Sequence, residues 1–498
     1  MKNKFYITTT LPYVNAEPHI GFALEIIQAD VVARYRTKLG DEVFFNTGTD
    51  EHGLKIYQKA LEEKKDPQAY CDEYAAKFDL LKIKLNLSYN NFIRTTDKHH
   101  IEACQEFWKR CEKNGDIYKK NYKTKYCVGC ELEKTDSELV DGKCPIHSNR
   151  EIEIIEEENY FFRFSKYQQL LLDLYDKNKD FVVPAHRQKE IYNFVKSGLQ
   201  DFSISRLKTK MPWGVPVPGD GEHIMYVWFD ALINYISCLG WPTFAKVSAS
   251  KPKNEKKFKE FWPGIQVAGK DNLRQQTAMW QAMLLSAGLS TSKQVFIHGF
   301  INLAGQKISK SSGAILPNPI ELVDKYGIDA VRYYLLRGIP SAEDGDFSIE
   351  KFEELYNADL ANGLGNLVAR VLALAVKNKI QLPNEIKDKE ITIFIEKTKK
   401  GLEKLIKEFE FNRGLGEIWK LVSFCNSYID KTKPWELTKG GAKGNIEGIE
   451  LVLSNLIYCI SEIADLIESF LPETSEKIKK QLKSNKPEIL FPRLDKTK

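Results

Sequence analysis

Two periods of apolar residues run along this chain, and the places where one gives way to the other divide it. Phe5 to Thr9 is a short apolar and β-branched run without helical spacing, which predicts a buried strand, and Leu11 to Pro18 predicts a loop broken by Pro12 and Pro18. From Gly21 to Leu39 the apolar residues Leu24, Ile27, Val31 and Tyr35 recur at helical spacing, with Gly40 where a C-terminal cap belongs. Glu42 to Asn46 predicts a second strand. Strand, loop, long helix and strand make a βαβ unit, which implies a parallel sheet whose ligands lie at the carboxyl ends of its strands. His19 then falls at a helix N-terminus.

Between about Gly115 and Tyr226 the pattern breaks into short strand-like runs, a cluster of cysteine and histidine, and the turn-rich stretch MPWGVPVPGDGE, which predicts an inserted domain. The α/β pattern resumes with strands Gly264 to Ala268 and Gln294 to His298, separated by a helix from Leu273 to Gly288. Beyond about Glu350, proline and glycine thin out and amphipathic helical patterns continue through Phe470, which predicts a helical bundle. The expected boundaries are 1–114 and 227–320 for the two halves of the sheet domain, 115–226 for the insertion, 321–350 for a linking stem and 351–498 for the bundle.

At 498 residues, with 43% hydrophobic, 28% charged and 11% aromatic residues, the chain is long enough for several cores and is excluded from the disordered and fibrous classes. No stretch offers about eighteen uncharged apolar residues, and MKNKFYITTT lacks an apolar signal core, so no membrane association is expected and the cytoplasm is the expected compartment. Of nine cysteines, Cys71, Cys104, Cys111, Cys238 and Cys425 are scattered singly, which argues against a disulfide framework. The net charge of +5 tolerates a polyanionic partner, but lysine and glutamate are interleaved along the chain, so charge alone identifies no ligand.

Three clusters carry candidate chemistry. Pro18-His19-Ile20-Gly21 offers a ring donor, a glycine that permits close backbone approach, and a helix start whose free amides attract phosphate. Lys307-Ile308-Ser309-Lys310-Ser311-Ser312 is a small-residue loop with two ammonium groups three positions apart, able to fold over phosphates. Taken singly, these two segments also read as a capped helix start and a solvated basic loop. Cys127 and Cys130, then thirteen residues, then Cys144 and His147 form two close ligand pairs that can converge on one tetrahedral zinc. Four protein ligands leave no position for water, so one structural Zn2+ per chain is expected. The expected fold class is α/β: a split Rossmann-like parallel sheet with an inserted zinc-knuckle domain, followed by an α-helical bundle.

The first two segments, in this order and at strand ends, resemble the HIGH and KMSKS signatures of class I aminoacyl-tRNA synthetases. TTTLPYVN, NTGTDEHG, YVWFDALINY, VAGKDN and the C-terminal KPW extend the resemblance, over nearly the whole chain, to methionyl-tRNA synthetases of the shorter bacterial type with one zinc knuckle. The resemblance implies ATP with Mg2+, with His19, Lys307 and Lys310 as catalytic groups and Gly21, Ser309 and Ser311 also at the nucleotide. It implies a pocket for L-methionine formed by Leu11, Tyr13, Trp228, Ala231, Tyr235 and Asp271, with Asp50 receiving the ammonium group. It further implies that Asn366, Arg370 and Trp435 read the CAU anticodon of tRNA(Met). Asn366 and Arg370, four apart, share a helix face. The expected reaction forms methionyl-adenylate and transfers methionine to the 2′-hydroxyl of the terminal adenosine, and a monomer is expected.

The chain departs from the family pattern in two places. Phe22 stands where the first signature has its second histidine, and Gln275 and Gln276 stand where the family often has an aromatic residue and a histidine. The insertion has no room for the editing domain of the isoleucine, valine and leucine enzymes, which must separate substrates differing by roughly 1–3 kcal/mol of methylene binding. No cysteine precedes Cys71 to hold the active-site zinc of a cysteine enzyme. A non-catalytic tRNA-binding relative of the same fold is the alternative, and methionine-driven ATP/pyrophosphate exchange separates the two.

Overall fold

A computed structural model describes residues 2–129, 132–134, 136–242, 252–303, 306–307, 317–380, 388–437 and 446–495. It forms two compact units, one of residues 1–83, 87–300 and 306–318 and the other of residues 84–86, 301–305 and 319–498.

In the first unit the strands of its two larger sheets, in chain order, are β1 (Lys4–Thr9), β2 (Glu42–Thr49), β3 (Asn91–Arg94), β4 (Ile117–Cys127), β5 (Leu132–Lys134), β6 (Glu153–Phe162), β7 (Val182–Val183), β8 (Phe202–Ser203), β9 (Ile265–Gly269) and β10 (Gln294–His298). Six of them make one parallel sheet in the order β3-β2-β1-β9-β10-β7, with Ile7 opposite Ile265 and Tyr6 opposite Phe44. The sheet is thus split as the fold class requires, β1 pairing with a strand more than two hundred and fifty residues away, Ile7 to Ile265. Two residues of the 115–226 segment, Val182 and Val183, supply its last strand. Four other strands of that segment form a separate antiparallel sheet in the order β5-β4-β6-β8, in which β4 and β6 pair from Ile117–Phe162 to Tyr126–Glu153, and Ser205–Leu207 pairs antiparallel with His223–Met225 in a further two-stranded sheet.

The expected βαβ unit is β1, α1 (Ile20–Lys38) and β2. Every residue of α1 from Phe22 to Ala33 is buried, so the helix has no wet face along that length and its polar residues must be satisfied inside. Asp30 does this by accepting the Ser88 N–H and hydroxyl, both at 2.6 Å, and pairing with Arg34 at 2.8 Å. At the end of α1, Gly40 takes φ +92° and turns the chain toward β2. Further along lie α2 (Leu54–Glu62), α3 (Lys98–Lys113) and α4 (Val227–Ala231). The helix expected from Leu273 starts there, is π-helical over Gln275–Met279 and α-helical again over Trp280–Ser286. The π-helical stretch is tied down by side chains, since Gln281 Nε2 donates to the Gln276 carbonyl at 2.7 Å. The core of this unit is aromatic: Phe107 stacks on Trp280 at 5.8 Å and meets the edges of Phe229 and Trp241.

The second unit is mostly helical, with α5 (Asn366–Lys377), α6 (Lys389–Lys407), α7 (Phe411–Thr432), α8 (Ile446–Ile467) and α9 (Pro472–Ser484), and a short parallel pair of strands, Ile301–Leu303 with Gly345–Phe347. Arg332 is fully buried and satisfies loose backbone ends, donating to the carbonyls of Phe470 (2.8 Å), Leu85 (3.1 Å) and Ser469 (3.3 Å). Asp329, also buried, accepts the Thr474 N–H at 2.6 Å in the first turn of α9, where a helix has amides to spare. One helical stretch, Ile349–Lys377, is long and apolar enough by length and composition to cross a membrane. Leu367, Val368, Val371, Leu372 and Ala375 on it are buried, while Asn366 is exposed, which is the pattern of an amphipathic core helix.

Candidate functional site

The site begins where β1 ends. The loop after it brings His19 to the N-cap of α1 in an extended conformation, and the imidazole folds back so that Nδ1 accepts the Gly21 N–H at 3.1 Å. A Cβ on Gly21 would lie 3.0 Å from two ring atoms of His19, so any side chain there would push the imidazole away from the helix start. One turn further, buried Glu25 anchors this corner. Its Oε1 accepts the Thr10 N–H (2.7 Å) and hydroxyl (2.6 Å), and its Oε2 lies 3.0 Å from His298 Nε2 at the end of β10. His298 Nδ1 in turn lies 2.7 Å from the Gly299 carbonyl. Burial opposes a charge on His298, but the Glu25 carboxylate and that carbonyl outweigh it and hold its pKa above the ordinary value. Asp271, in the turn after β9, is exposed and adds a further negative charge near this histidine. Glu25, His298 and Thr10 were not singled out from the sequence. The one available signal was a carboxylate in the middle of an apolar helix.

Phe22 fills space. Its ring is buried edge-to-face against Phe78 at 5.6 Å. A histidine at this position would have to find polar partners in the same apolar contact.

Next to this corner, Tyr13 and Asp50 form a backbone bridge, with Asp50 N–H donating to the Pro12 carbonyl (3.0 Å) and Val14 N–H to the Asp50 carbonyl (3.3 Å). The Tyr13 ring meets Trp228 edge-on at 6.5 Å, and Lys55 Nζ lies 5.5 Å from its centroid. Trp228 and Ala231 share α4, and Tyr235 follows one turn later. Tyr235 is buried, accepts an amide hydrogen from Gln276 Nε2 at 2.8 Å, and receives the Tyr6 hydroxyl on its carbonyl at 2.9 Å. Burial holds the Tyr235 phenol above its ordinary pKa, so it stays protonated. Gln276 is fixed from the other side by Gln266 Nε2 at 3.2 Å. The two glutamines that depart from the family pattern are both buried, on the π-helical stretch, and Gln276 belongs to this wall. Leu11 packs, partly buried, against the surrounding apolar core. The arrangement is an apolar and aromatic slot with a carboxylate-bearing loop at one side, the pairing that an amino acid with a flexible apolar side chain requires.

At the end of β4, Cys127 Sγ lies 3.8 Å and Cys144 Sγ 4.0 Å from His147 Nδ1, and all three donor atoms lie within 4.8 Å of one another. Around a tetrahedral ion with bonds of about 2.0–2.3 Å, such donors stand roughly 3.5–3.8 Å apart, so two thiolates and an imidazole fit a soft divalent metal here. Gly129 is required by this turn, because a Cβ would fall 2.4 Å from the His147 ring. Its carbonyl also accepts the Lys55 ammonium. Cys130 lies outside the described residues, as do Ser309, Lys310 and Ser311. Lys307 ends a two-residue strand, Gln306–Lys307.

In the helical unit, Asn366 opens α5 and is exposed, and Arg370 follows one turn on. The Arg370 guanidinium lies 5.5 Å from the Trp435 ring centroid and donates to Asp430 Oδ1 at 2.9 Å. Trp435 is placed by the end of α7, where Lys433 adopts a left-handed conformation and Pro434 starts a new short helix. The structure thus brings Arg370 and Trp435 together on one face.

The family profile described as tRNA synthetases class I (M) matches residues 5–153 and 147–372, and that of the anticodon-binding domain of tRNA ligase matches residues 388–496. The chain is 42% identical over 485 residues to the methionine–tRNA ligase of Thermotoga maritima, covering 95% of this chain and 74% of that one. It is 41% identical over 497 residues to the methionine–tRNA ligase of Thermosynechococcus vestitus, covering 97% and 90%. Among solved structures, Mycobacterium tuberculosis methionyl-tRNA synthetase in complex with methionyl-adenylate superposes with a TM-score of 0.91 at 35% identity, covering 99% of this chain and 100% of that one. With its slot and Cys/His group in place and these likenesses spanning both units, the chain belongs to the class I methionyl-tRNA synthetases.

Proposed function

We propose that the chain activates L-methionine with ATP in the cytoplasm and esterifies it to the terminal 2′-hydroxyl of tRNA(Met). The bridge between Tyr13 and Asp50 carries this reading, because it puts a carboxylate beside the rings of Tyr13 and Trp228 at the carboxyl end of the sheet. Asp50 receives the methionine ammonium, and Leu11, Tyr13, Trp228, Ala231 and Tyr235 enclose the thioether, with Asp271 at the same site. A carboxylate oxygen of methionine attacks the α-phosphorus of ATP, the bond to the bridging oxygen breaks, and pyrophosphate departs. No protein nucleophile is needed. His19, the amides at the start of α1 near Gly21, and Lys307, Ser309, Lys310 and Ser311 act by position and charge on the phosphates. Mg2+ brought with ATP would supply further charge neutralisation at the phosphates. Zn2+ at Cys127, Cys130, Cys144 and His147 is structural, one ion per chain. Asn366, Arg370 and Trp435 read the CAU anticodon by hydrogen bonding and stacking. The domain limits given by the sequence, and a monomer, belong to the same reading.

Pyrophosphate exchange measured across all twenty amino acids tests it, with exchange expected for methionine far above the rest. Lys310→Ala is expected to depress that exchange on the order of a hundredfold or more, as loss of a preorganised charge does, while leaving methionine binding by calorimetry intact. An enzyme inert toward methionine and ATP overturns the proposal, and unaltered exchange in Lys310→Ala removes that lysine from the phosphates.

A further inference from the structure

The segment that follows β2 is held on one flank far more firmly than a loop carrying a single ligand group requires. Glu51 is fully buried. Its carboxylate takes Arg94 Nε at 2.6 Å and Nη2 at 2.9 Å and the Thr49 hydroxyl at 2.6 Å, its N–H donates to Thr95 Oγ1 at 2.9 Å, and its carbonyl accepts Trp213 Nε1 at 2.6 Å. These bonds tie the loop to β3, to Thr95 just beyond it and to Trp213.

On the other flank a polar link runs from His52. Its Nδ1 lies 3.1 Å from Asp230 Oδ2, with both side chains buried. His52 is two residues past Asp50, and Asp230 stands on α4 between Trp228 and Ala231. The link therefore joins the carboxylate side of the slot directly to its aromatic side. Behind it the layer is polar and closed: Cys104 Sγ lies 3.7 Å from the Asp230 carbonyl and 3.3 Å from His100 Nε2, and His100 Nδ1 lies 2.9 Å from Ser237 Oγ. Burial pushes the His100 pKa down to about 3, so this second imidazole brings no charge to the layer. Asp230 Oδ1 has no hydrogen-bond partner among the described residues. An unpaired carboxylate in such surroundings is costly, so the His52 contact fixes where α4 lies.

We infer that His52 and Asp230 are positioning residues for the amino-acid pocket, forming the joint that sets the separation between Asp50 and the Trp228–Ala231 wall and so the affinity for methionine. The inference rests on the proposed assignment of Asp50 and Trp228 to the methionine site. Neither residue of the joint touches substrate, and its loss acts on methionine and not on ATP.

Exchange kinetics on the full chain test it. In His52→Leu the methionine KM is expected to rise about tenfold, with kcat and the ATP KM held within about twofold, the pattern of a displaced binding group. His52→Asn places an amide donor where Nδ1 stands, and the methionine KM is expected to return to within about threefold of the parent. Should His52→Leu fail to fold, the double variant His52→Leu with Asp230→Val leaves no buried charge to destabilise it and is expected to show the same raised methionine KM. An unaltered methionine KM in the folded variant, an equal rise in the ATP KM, or an asparagine variant as impaired as the leucine one overturns the joint. Asp50→Ala separates the two failures: if it raises the methionine KM while His52→Leu does not, only the joint falls, and if neither moves it, the pocket assignment falls as well.

Discussion

The slot beside Asp50 and the face carrying Arg370 and Trp435 each present a few polar and aromatic groups on regular structure, yet they are supported in opposite ways. Around the slot three supporting carboxyl groups are inside: Glu51 is fully buried against Arg94, Glu25 lies buried beside His298, and Asp230 beside His52. On the helical face the support is outside, for Asp430, which pairs with Arg370, is 63% exposed. A buried charge that loses its partner pays the full desolvation cost, whereas an exposed one is caught by water. Changes behind the slot should therefore register in folding as well as in activity, and changes on the open face chiefly in what it binds.

The widest expected gap comes from Arg94→Leu, which strands the Glu51 carboxylate and should cost about 3–5 kcal/mol in urea unfolding. A loss below about 1 kcal/mol would put the two regions on the same footing. A buried carboxylate in the helical unit sharpens the contrast from the other side. Burial lifts the Asp329 pKa to about 6, above its unfolded value. The folded state then holds the proton more tightly, so this group's stabilising share is complete at low pH and is lost as pH rises from about 4 to 6. Asp329→Asn should remove that decline, at most about 3 kcal/mol, from the pH dependence of unfolding. An unchanged pH profile would show that Asp329 does not set it. Trp435→Ala should weaken tRNA charging by roughly 1–3 kcal/mol of lost stacking while sparing pyrophosphate exchange and melting temperature. Unchanged charging would remove the ring from base reading. Least of all, Asp430→Ala should shift unfolding by less than about 1 kcal/mol, and a larger change would mean that the exposed pair is structurally important after all.

The same contrast explains what could be seen in the sequence. The β1–α1–β2 unit was legible because its periods are local and long, and Gly40 marked the helix end. Val182 and Val183 were not, since two residues carry no period and their pairing partners, Val295 and Phe296, lie far along the chain. The π-helical stretch at Gln275 was hidden for a related reason: an extra residue in a turn is stabilised by contacts such as that of Gln276 with Tyr235, which no local pattern encodes. Glu25 and His298, 273 positions apart, were each unremarkable alone. The spacing of the cysteines and His147 was local, and three of the four expected ligands, Cys127, Cys144 and His147, come together as a group that could hold a metal. The roles proposed for Asn366, Arg370 and Trp435 rest on family resemblance, because residues on a helical surface look alike in the sequence whether or not they bind anything.

The division of the parallel sheet has a consequence during synthesis. When β1 leaves the ribosome it finds β2 soon after, but its other edge must wait for β9, with Ile265 following Ile7 by 258 positions. At typical translation speeds that delay is on the order of tens of seconds, during which an apolar strand edge stands open to whatever pairs with it first. A nascent chain held at about residue 200 is therefore the form of this enzyme most in need of a chaperone.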